Sequence, residues 1–596
     1  TGSLITLVSL KAHQMQPMNK YEQLSHIRKQ LQNGGEAPEW YSTAAYQLLV
    51  NQEYLDRGET PKAMYTRIAK RAAELTKFTI PNDWGYTTWF DAFFDIMWKG
   101  WLSPSTPVLT NMGNERGHPI SCSGTHLPDS IRGFYTARTE IAQLTQRGYG
   151  TSWCLDLVRH RGSPVSKGGT ANGIMQPAQG AVDDMADVSQ GTRRGNIGQY
   201  LNPLHADFDE LLAQLRADHM GWNIGWNFTK EFTELLDRDP NRADYIWKRI
   251  LSTKMITGKG YFFFLDKVNA NVPKMYRDKG FKVRHSNLCA EIALMNDENH
   301  SFTCVLSSMN VVKYDEWKDT KAVELSTIFL DAVIEDMLIK ARKEPGFEKI
   351  IAFTEKSRAL GLGQLGISSY YQMQSWSYGN FESIMFNQQL TKLLVDRTRA
   401  ASELMAMELG EPEWMKGYGR RNSHLIAFPP TKSTAIFMGG FSEGINPVFA
   451  NVYEQETAGG IVYRINPVLL PIMKERGQYT KEVMKRISEA QGSVQGEDWL
   501  STHEKLVFRT AFEINQESIL LMGSQRQRVM NSGTDSIGQG QSLNIYITAE
   551  ETEEEISRLH RLALEDPYLQ SLYYIHSLNE ESTYKVDKSE CVSCHG

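Results

Sequence analysis

Cysteine is scarce in this chain: six among 596 residues, at Cys122, Cys154, Cys289, Cys304, Cys591 and Cys594. Thiols this sparse do not staple a small secreted fold, and no basic segment precedes the mildly apolar Leu4–Leu10 to make a signal peptide. Both absences point to a reducing, cytoplasmic setting in which thiols persist. Long apolar runs are also missing. The most conspicuous, Tyr261–Leu265, falls far short of the ~20 residues a membrane helix needs and reads as a buried strand. Neither sign of charge dominates, and the net charge of −6 gives no general pull toward nucleic acid or an anionic membrane, though small basic spots remain able to hold phosphates. Fixed-period repeats and low-complexity tracts are absent, which sets aside solenoids and arrays. Thr1 is not an initiator, and Met15 and Met18 are candidate natural starts.

What is present is an ordinary globular composition, 41% hydrophobic and 22% charged, on a chain long enough for one large catalytic domain with smaller attachments. Residues 20–100 read as helical, with Tyr65, Ile68, Ala72 and Leu75 at three- and four-residue spacing. Trp84, Trp89, Phe90, Phe93, Phe94 and Trp98 are expected to pack this layer onto its neighbour. From about 101 to 450 the texture is α/β, with turns such as Gly162-Ser163-Pro164, Gly168-Gly169-Thr170 and Gly439-Gly440 between short apolar runs. Glu551–Glu565 reads as a solvated surface helix, and beyond His576 the chain turns polar, as a flexible tail does.

Chemistry concentrates around the cysteines. In Asn287-Leu288-Cys289-Ala290-Glu291 an extended backbone would turn the amide, thiol and carboxylate to one side. A carboxylate there accepts a proton, an amide polarises a neighbouring oxygen, and a thiol serves as nucleophile or redox centre. Taken alone, the segment reads as a structural cysteine between polar residues. Cys591-Val592-Ser593-Cys594 is a vicinal dithiol near the C-terminus. With His595 it also matches a c-type haem attachment pattern, but no export signal accompanies it, and a zinc ribbon needs a second ligand pair nearby. A chance pair is the bland alternative and a redox shuttle the better reading. The stretch from His576 to Cys591 reaches roughly 20–25 Å as a coil and up to ~50 Å extended. Cys122 and Cys304 sit at strand or strand-end positions; each alone is a core cysteine, and together, beside Cys289 and a tail dithiol, they are candidates for a reversible disulfide. Cys154 receives no role and reads as a packed core thiol.

Several further segments stand in a telling order: Ser105-Thr106-Pro107, Ile120-Ser121-Cys122, Gln190-Gly191-Thr192-Arg193-Arg194-Gly195, Thr303-Cys304-Val305-Leu306, Arg420-Arg421-Asn422-Ser423-His424, Ala427-Phe428-Pro429-Pro430-Thr431, Gln541-Ser542-Leu543-Asn544 and Leu572-Tyr573-Tyr574. With the cysteine segments, and over about residues 50–596, the chain resembles the large catalytic (alpha) subunit of class I ribonucleotide reductase. The resemblance implies a ten-stranded α/β barrel of two five-stranded halves around a central finger loop, with an N-terminal helical domain and a flexible C-terminal tail. The expected division is 1–17 a disordered or non-native leader, 18–115 helical domain, 116–390 first part of the barrel with effector and finger loops, 391–578 the remaining barrel with an α/β subdomain, and 579–596 the redox tail.

The resemblance also implies roles. Cys289 becomes a thiyl radical and removes the 3′-hydrogen of a ribonucleotide, Glu291 takes the 3′-hydroxyl proton, and Asn287 holds the sugar hydroxyls. Cys122 and Cys304 supply two electrons and end as a disulfide, which Cys591 and Cys594 reduce by exchange before thioredoxin or glutaredoxin regenerates the tail. Tyr573 and Tyr574, packing residues when read alone, relay the radical from a small (beta) subunit that holds the radical or metal cofactor. The segment Thr431, Lys432, Ser433, Thr434 resembles a turn entering a helix that binds the substrate diphosphate, with Thr106 and Ser121 nearby; Lys432 is unusual there and either adds charge to the site or points to solvent. Asp129 matches a carboxylate that holds the sugar of a nucleoside triphosphate effector, and Arg161 a phosphate-binding arginine, with Arg159 as the competing match. Gln190, Arg193, Arg194 and Asn196 lie on the loop expected to connect effector and substrate sites. No Lys-Arg-rich ATP-cone motif is found, so no regulatory cone is expected, and neither is a metal ion or a cofactor held permanently by this chain. Ribonucleoside diphosphates are the expected substrates, a homodimer the expected assembly, and nucleic acid and membrane are not expected partners. The alternatives are an adenosylcobalamin-dependent (class II) reductase and a catalytically inactive nucleotide-binding regulator.

Overall fold

A computed structural model describes residues 20–190, 193–457 and 460–578. The N-terminal layer is helical for reasons its sequence carries. In Pro61–Leu75, Thr60 caps the first turn by accepting from Ala63 N, Pro61 occupies the first turn, and Met64, Tyr65, Ile68, Ala69 and Ala72 form the buried stripe. In Trp89–Trp98, Thr88 caps by accepting from Asp91 N, and Trp89, Phe93, Ile96 and Met97 turn inward. Trp89 stacks on Phe93 at 5.5 Å, and Phe93 meets Phe329 edge-on at 5.6 Å. The aromatics thus pack this layer onto its neighbour, the almost wholly buried helix Ala322–Ala341.

Ten strands close into a barrel of two five-stranded halves. The first half is β1 (Cys122–Gly124), β2 (Thr151–Cys154), β3 (Ile197–Leu201), β4 (Asn223–Phe228) and β5 (Tyr261–Phe264); the second is β6 (Phe302–Asn310), β7 (Leu360–Leu365), β8 (Ile426–Phe428), β9 (Gly538–Gln541) and β10 (Ser571–Leu572). Strands β2 to β5 run parallel, as do β6 to β9. The halves meet at two antiparallel seams. At one, β1 lies against β6 with Cys122 opposite Cys304, while parallel bridges Cys122–Gly150 and Thr125–Trp153 join β1 to β2. At the other, β10 pairs with β5 (Ser571 with Phe263, Leu572 with Phe262), and Ser571 Oγ donates to Gln541 O of β9 at 2.8 Å. Strands covered on both faces carry no polar–apolar alternation: all four residues of β5, Tyr261-Phe262-Phe263-Phe264, are buried.

Glycines make room inside. A Cβ at Gly361 would lie 2.4 Å from Leu306 Cδ2 and 3.1 Å from Cys304 Sγ, and one at Gly540 would lie 3.0 Å from Glu291 O. Both positions let backbone approach the interior closely. The finger, between β5 and β6, carries helices Leu265–Ala270 and Lys274–Lys279 and then enters the barrel as irregular chain. Residues 452–508 hold a smaller core of their own around Val452, Leu469, Met473, Ile487 and Phe508. The helix near the C-terminus, Glu553–Glu565, is not simply solvated as the charge pattern suggests: Ile556, Leu559, His560, Ala563 and Leu564 form a buried face, and His560 meets Phe262 edge-on at 5.1 Å. Its charges occupy the other face.

One ionic knot joins the central helix to the barrel. Asp331 accepts from Arg358 at 2.9 and 3.0 Å, from Arg421 at 3.1 Å and from Asn422 at 2.9 Å. Although burial opposes the charge, the two guanidiniums hold the carboxyl at about 2. Replacing Asp331 by Ala leaves Arg358 buried without its main counter-charge, and a loss of about 3–5 kcal/mol is expected, read as a lower denaturation midpoint at neutral pH. Because the folded pKa is depressed, this contribution is present above the unfolded value near ~4 and lost as pH falls through about 2. Wild type and variant should therefore converge only in strong acid.

Candidate active site

The finger tip is a turn, not a strand. Residues 288–290 bend, and Ala290 takes a left-handed conformation at φ 63°. Strand alternation therefore does not bring Asn287, Cys289 and Glu291 together, and the expectation of an extended segment is corrected: the turn folds the carboxylate back onto the amide. Asn287 Oδ1 accepts from Glu291 N at 3.2 Å, Ile292 N at 3.3 Å and Ser286 Oγ at 3.2 Å. Its Nδ2 donates to Glu291 Oε1 at 3.0 Å and Cys122 Sγ at 3.1 Å. Tyr200 Oη on β3 donates to Asn287 O at 2.5 Å, and Gly540 N on β9 donates to Glu291 O at 2.7 Å, so both half-barrels grip the tip.

Around this turn the barrel assembles three thiols and a carboxyl. Cys122, Cys289 and Cys304 are buried thiols not joined in disulfides. Cys122 and Cys304 face each other across the β1–β6 seam, where directly opposed residues have the Cα spacing a disulfide requires. Gln539 Nε2 donates to Cys304 Sγ at 3.3 Å, and its Oε1 accepts from Ala293 N at 3.0 Å. Ser542 Oγ lies 2.7 Å from Cys289 O and 3.2 Å from Glu291 Oε2. Burial is the first cause of every shift here. It pushes the Cys122 thiol well up, with the Glu291 charge adding to it, and Cys304 up to about 12. Such thiols rest as S–H and are poor thiolate nucleophiles, but they keep a hydrogen atom to give. Glu291 is raised to about 7 by burial, against its own backbone N–H, Asn287 and Ser542, which favour the anion. A carboxyl there exchanges a proton readily near neutrality.

Tyr573 and Tyr574 follow β10 directly. Tyr573 Oη donates to Cys289 Sγ at 3.5 Å, and the two phenol rings lie 4.2 Å apart, edge to face. Tyr573 is fully buried, which pushes its pKa well up and keeps the neutral phenol. Ring contact thus joins the half-buried Tyr574 to Tyr573, whose hydroxyl reaches the finger-tip thiol.

The remaining predicted residues fall into place unevenly. Thr431, at φ 53°, opens the helix Lys432–Phe437, and its Oγ1 accepts from Gly444 N at 2.7 Å. Thr431 and Thr434 are buried, and Lys432 and Ser433 are half-buried. Lys432 lines a cavity of about 670 Å³ bounded by Ser42, Gln47, Arg464, Tyr546 and His576, which contains neither Cys289 nor Glu291. Thr106 is buried with Tyr54 Oη at 3.1 Å. Ser121 is fully buried, and its hydroxyl has no partner among the described residues. Asp129 holds Arg159, accepting from Nε at 2.7 Å, whereas the Arg161 guanidinium is taken by Glu210 at 2.6 and 2.9 Å. Gln190 and Arg193 pair as a short backbone ladder, their side chains and that of Arg194 lying outside the described residues. Asn196 Oδ1 accepts from Asn223 Nδ2 at 2.5 Å. Cys591 and Cys594 also lie outside the described residues. Cys154 is buried, as expected, accepting from Asn227 Nδ2 at 3.4 Å. Tyr200, Gln539 and Ser542 were missed as site residues. Ser542 lies inside a segment the resemblance quoted, so a signal existed; the other two come from strands whose register the sequence does not give.

The chain matches two family patterns, "Ribonucleotide reductase, all-alpha domain" over residues 39–117 and "Ribonucleotide reductase, barrel domain" over 120–222, 218–417 and 412–575. A protein of Frog virus 3 (isolate Goorha), described as a ribonucleoside-diphosphate reductase large subunit, is 30% identical over 534 residues, 84% of this chain and 92% of its own length. The vitamin B12-dependent ribonucleoside-diphosphate reductase of Thermoplasma acidophilum is 27% identical over 80% of this chain and 63% of its own. Among solved structures, the Actinobacillus ureae class Id ribonucleotide reductase alpha subunit superposes with a TM-score of 0.81 at 33% identity, covering 91% of this chain and 98% of that one.

The raised Glu291 carboxyl has a consequence for stability. Folding penalises the carboxylate, so the site is most favourable below the ordinary value of 4.5 and loses stability as pH climbs through about 7. Each pH unit between the two values is worth about 1.4 kcal/mol. Glu291→Gln should therefore gain up to about 3 kcal/mol over wild type at pH 8 and nothing at pH 4, measured by denaturant midpoints. Equal midpoints at both pH values would contradict a buried, raised carboxyl.

Proposed function

The chain belongs to the ribonucleotide reductase large-subunit family, and from that premise we propose how its residues reduce ribonucleoside diphosphates to 2′-deoxyribonucleotides. The observation that carries the reading is the convergence of Cys289, Glu291, Asn287, Cys122 and Cys304 on one finger tip inside a closed barrel, with Tyr573 against the Cys289 sulfur. The radical originates on a small partner subunit, which supplies the one-electron oxidant. Tyr574 and then Tyr573 each pass on one hydrogen-atom equivalent, and Cys289 S–H gives its hydrogen to the Tyr573 phenoxyl, leaving a thiyl. That thiyl takes the 3′-hydrogen of the ribose. Glu291 accepts the 3′-hydroxyl proton, and the 2′-hydroxyl, once protonated, leaves as water. Cys122 and Cys304 together give a proton to the departing 2′-hydroxyl, a hydrogen atom to C2′ and the remaining electron to the C3′ carbonyl, whose oxygen takes back the proton from Glu291, and they become a disulfide. Cys289 then returns its hydrogen to C3′, and the radical retraces its path. The closed barrel excludes water from the substrate radical.

Thr106, Ser121 and the Thr431–Thr434 turn receive the diphosphate. Support comes from the Ser121 hydroxyl, which has no partner among the described residues, and from the helix that Thr431 opens. Lys432 is assigned to the neighbouring cavity instead. Asp129 and Arg159 serve the nucleoside triphosphate effector, since Arg159 is the arginine beside that carboxylate and Arg161 is occupied by Glu210. The loop of Gln190, Arg193, Arg194 and Asn196 links effector to substrate. Cys591 and Cys594 reduce the disulfide, thioredoxin or glutaredoxin restores them, the active assembly is a homodimer, and the setting is cytoplasmic. Among the described residues no helix is long and apolar enough to cross a membrane.

The Tyr573–Tyr574 contact favours a radical delivered by a small subunit over adenosylcobalamin, because it builds a path to Cys289 that a cofactor bound beside the cysteine would not use. The test is CDP reduction with dithiothreitol, with and without candidate small subunits, and with adenosylcobalamin in a separate arm. Product is expected only with a small subunit, and Cys289→Ser, Tyr573→Phe or Tyr574→Phe should each fall to background. kcat/KM should rise with pH through about 7 as Glu291 ionises, and Glu291→Gln should lose that limb. One turnover without reductant should leave a Cys122–Cys304 disulfide, identified by peptide mass. Turnover that survives Tyr573→Phe, or that needs adenosylcobalamin, would reverse the assignment; no turnover in any arm would favour an inactive nucleotide-binding regulator.

A further inference from the structure

The relay has two tyrosines, yet the phenol cluster holds three. Tyr261, first residue of β5, is fully buried, and its ring centroid lies 4.8 Å from that of Tyr573 and 5.4 Å from that of Tyr574. Its hydroxyl donates to Tyr574 Oη at 3.3 Å, with Asn223 Oδ1 at 3.4 Å as the alternative acceptor. The strand end that carries it is fixed in an unusual way. The β5–β10 ladder pairs Leu572 with Phe262 and would next set Tyr573 against Tyr261. There the ladder stops, and the buried Lys254 Nζ reaches in from the helix Pro240–Thr257 to donate to Tyr573 O at 2.5 Å and Gly260 O at 3.0 Å. One amine thus ties the peptide of Tyr573 to the peptide just before Tyr261. Ile575 N donates to Gly258 O at 3.1 Å, and Tyr574 N to Asn544 Oδ1 at 3.1 Å, which pin the backbone on either side.

Backbone anchors do not fix a side-chain rotamer. Tyr574 is only half-buried, so its ring orientation depends on what its side chain meets. We propose that Tyr261 is a positioning residue of the relay: its ring and hydroxyl hold Tyr574 turned inward over Tyr573, on a strand end that Lys254 locks to the relay's own backbone. The proposal rests on the reading of Tyr573 and Tyr574 as the radical path. It assigns no electron to Tyr261. The hydrogen atoms move among Tyr574, Tyr573 and Cys289, and Tyr261 keeps its own, offering a hydrogen bond to the oxygen that becomes a phenoxyl.

Tyr261→Phe keeps the ring and removes only the hydroxyl. With the small subunit that supports wild-type turnover, KM for CDP should stay within about twofold while kcat falls about tenfold. A second readout looks at the hydrogen bond itself: with 3-aminotyrosine at position 574, the trapped radical in the otherwise wild-type chain should show an exchangeable-proton coupling in electron–nuclear double resonance that Tyr261→Phe loses. A kcat within about twofold of wild type, a loss confined to KM, or an unchanged coupling overturns the proposal. A wild-type chain without small-subunit-dependent turnover removes the reading beneath it, and the proposal falls with that reading; wild-type turnover beside an unaffected Tyr261→Phe removes the proposal alone.

Discussion

The site depends first on one buried amide. Asn287 uses both ends of its side chain. Its oxygen closes the finger-tip turn on Glu291 N and Ile292 N, and its nitrogen reaches the Glu291 carboxylate and the Cys122 sulfur. In a dry interior each of these bonds is stronger than in water and each broken one costs more, so the turn has a single satisfied arrangement. That arrangement carries Cys289 to Tyr573 and places Glu291 within reach of Ser542. Without a side chain of this shape, the Ala290 backbone would have little reason to stay left-handed.

Around the amide, burial does most of the chemical tuning. It raises Glu291 and both seam thiols in the same direction, toward the protonated form. Thiols that resist ionisation keep hydrogen atoms to donate and do not attack electrophiles as thiolates. A carboxyl raised to about 7 is ready either to take or to give a proton. One physical cause, the exclusion of water by a closed barrel, therefore prepares hydrogen-atom and proton chemistry together.

Much of this was legible in the sequence, and the failures have physical reasons. Six cysteines on a long chain leave few competitors for any one role, and the strand register sets Cys122 opposite Cys304. The apolar run Tyr261–Leu265 was rightly read as a buried strand, but its tyrosine vanished into the hydrophobic pattern, because a hydroxyl's partner is fixed by strands far away in sequence. Lys254 was hidden for the same reason, its two carbonyl partners being backbone atoms. The Asn287–Glu291 segment misled because alternation assumes extended backbone, and one left-handed alanine defeats that assumption. Spacing does not reveal that Arg159 pairs with Asp129 and Arg161 with Glu210, because both carboxylates lie far along the chain from these arginines. The acidic pattern of Glu553–Glu565 concealed a packed face whose residues recur at helical spacing.

The opposition of Cys122 and Cys304 lies on the line where the two half-barrels meet. A bond between these sulfurs would rivet one half of the molecule to the other, shrinking the freedom of any opened or unfolded chain far more than a short-range clasp does. Spending the electrons and fastening the barrel are then a single event, and each round of chemistry would alternate a sewn container with an unsewn one. The resistance of this protein to heat or to pulling should accordingly record how recently it was reduced.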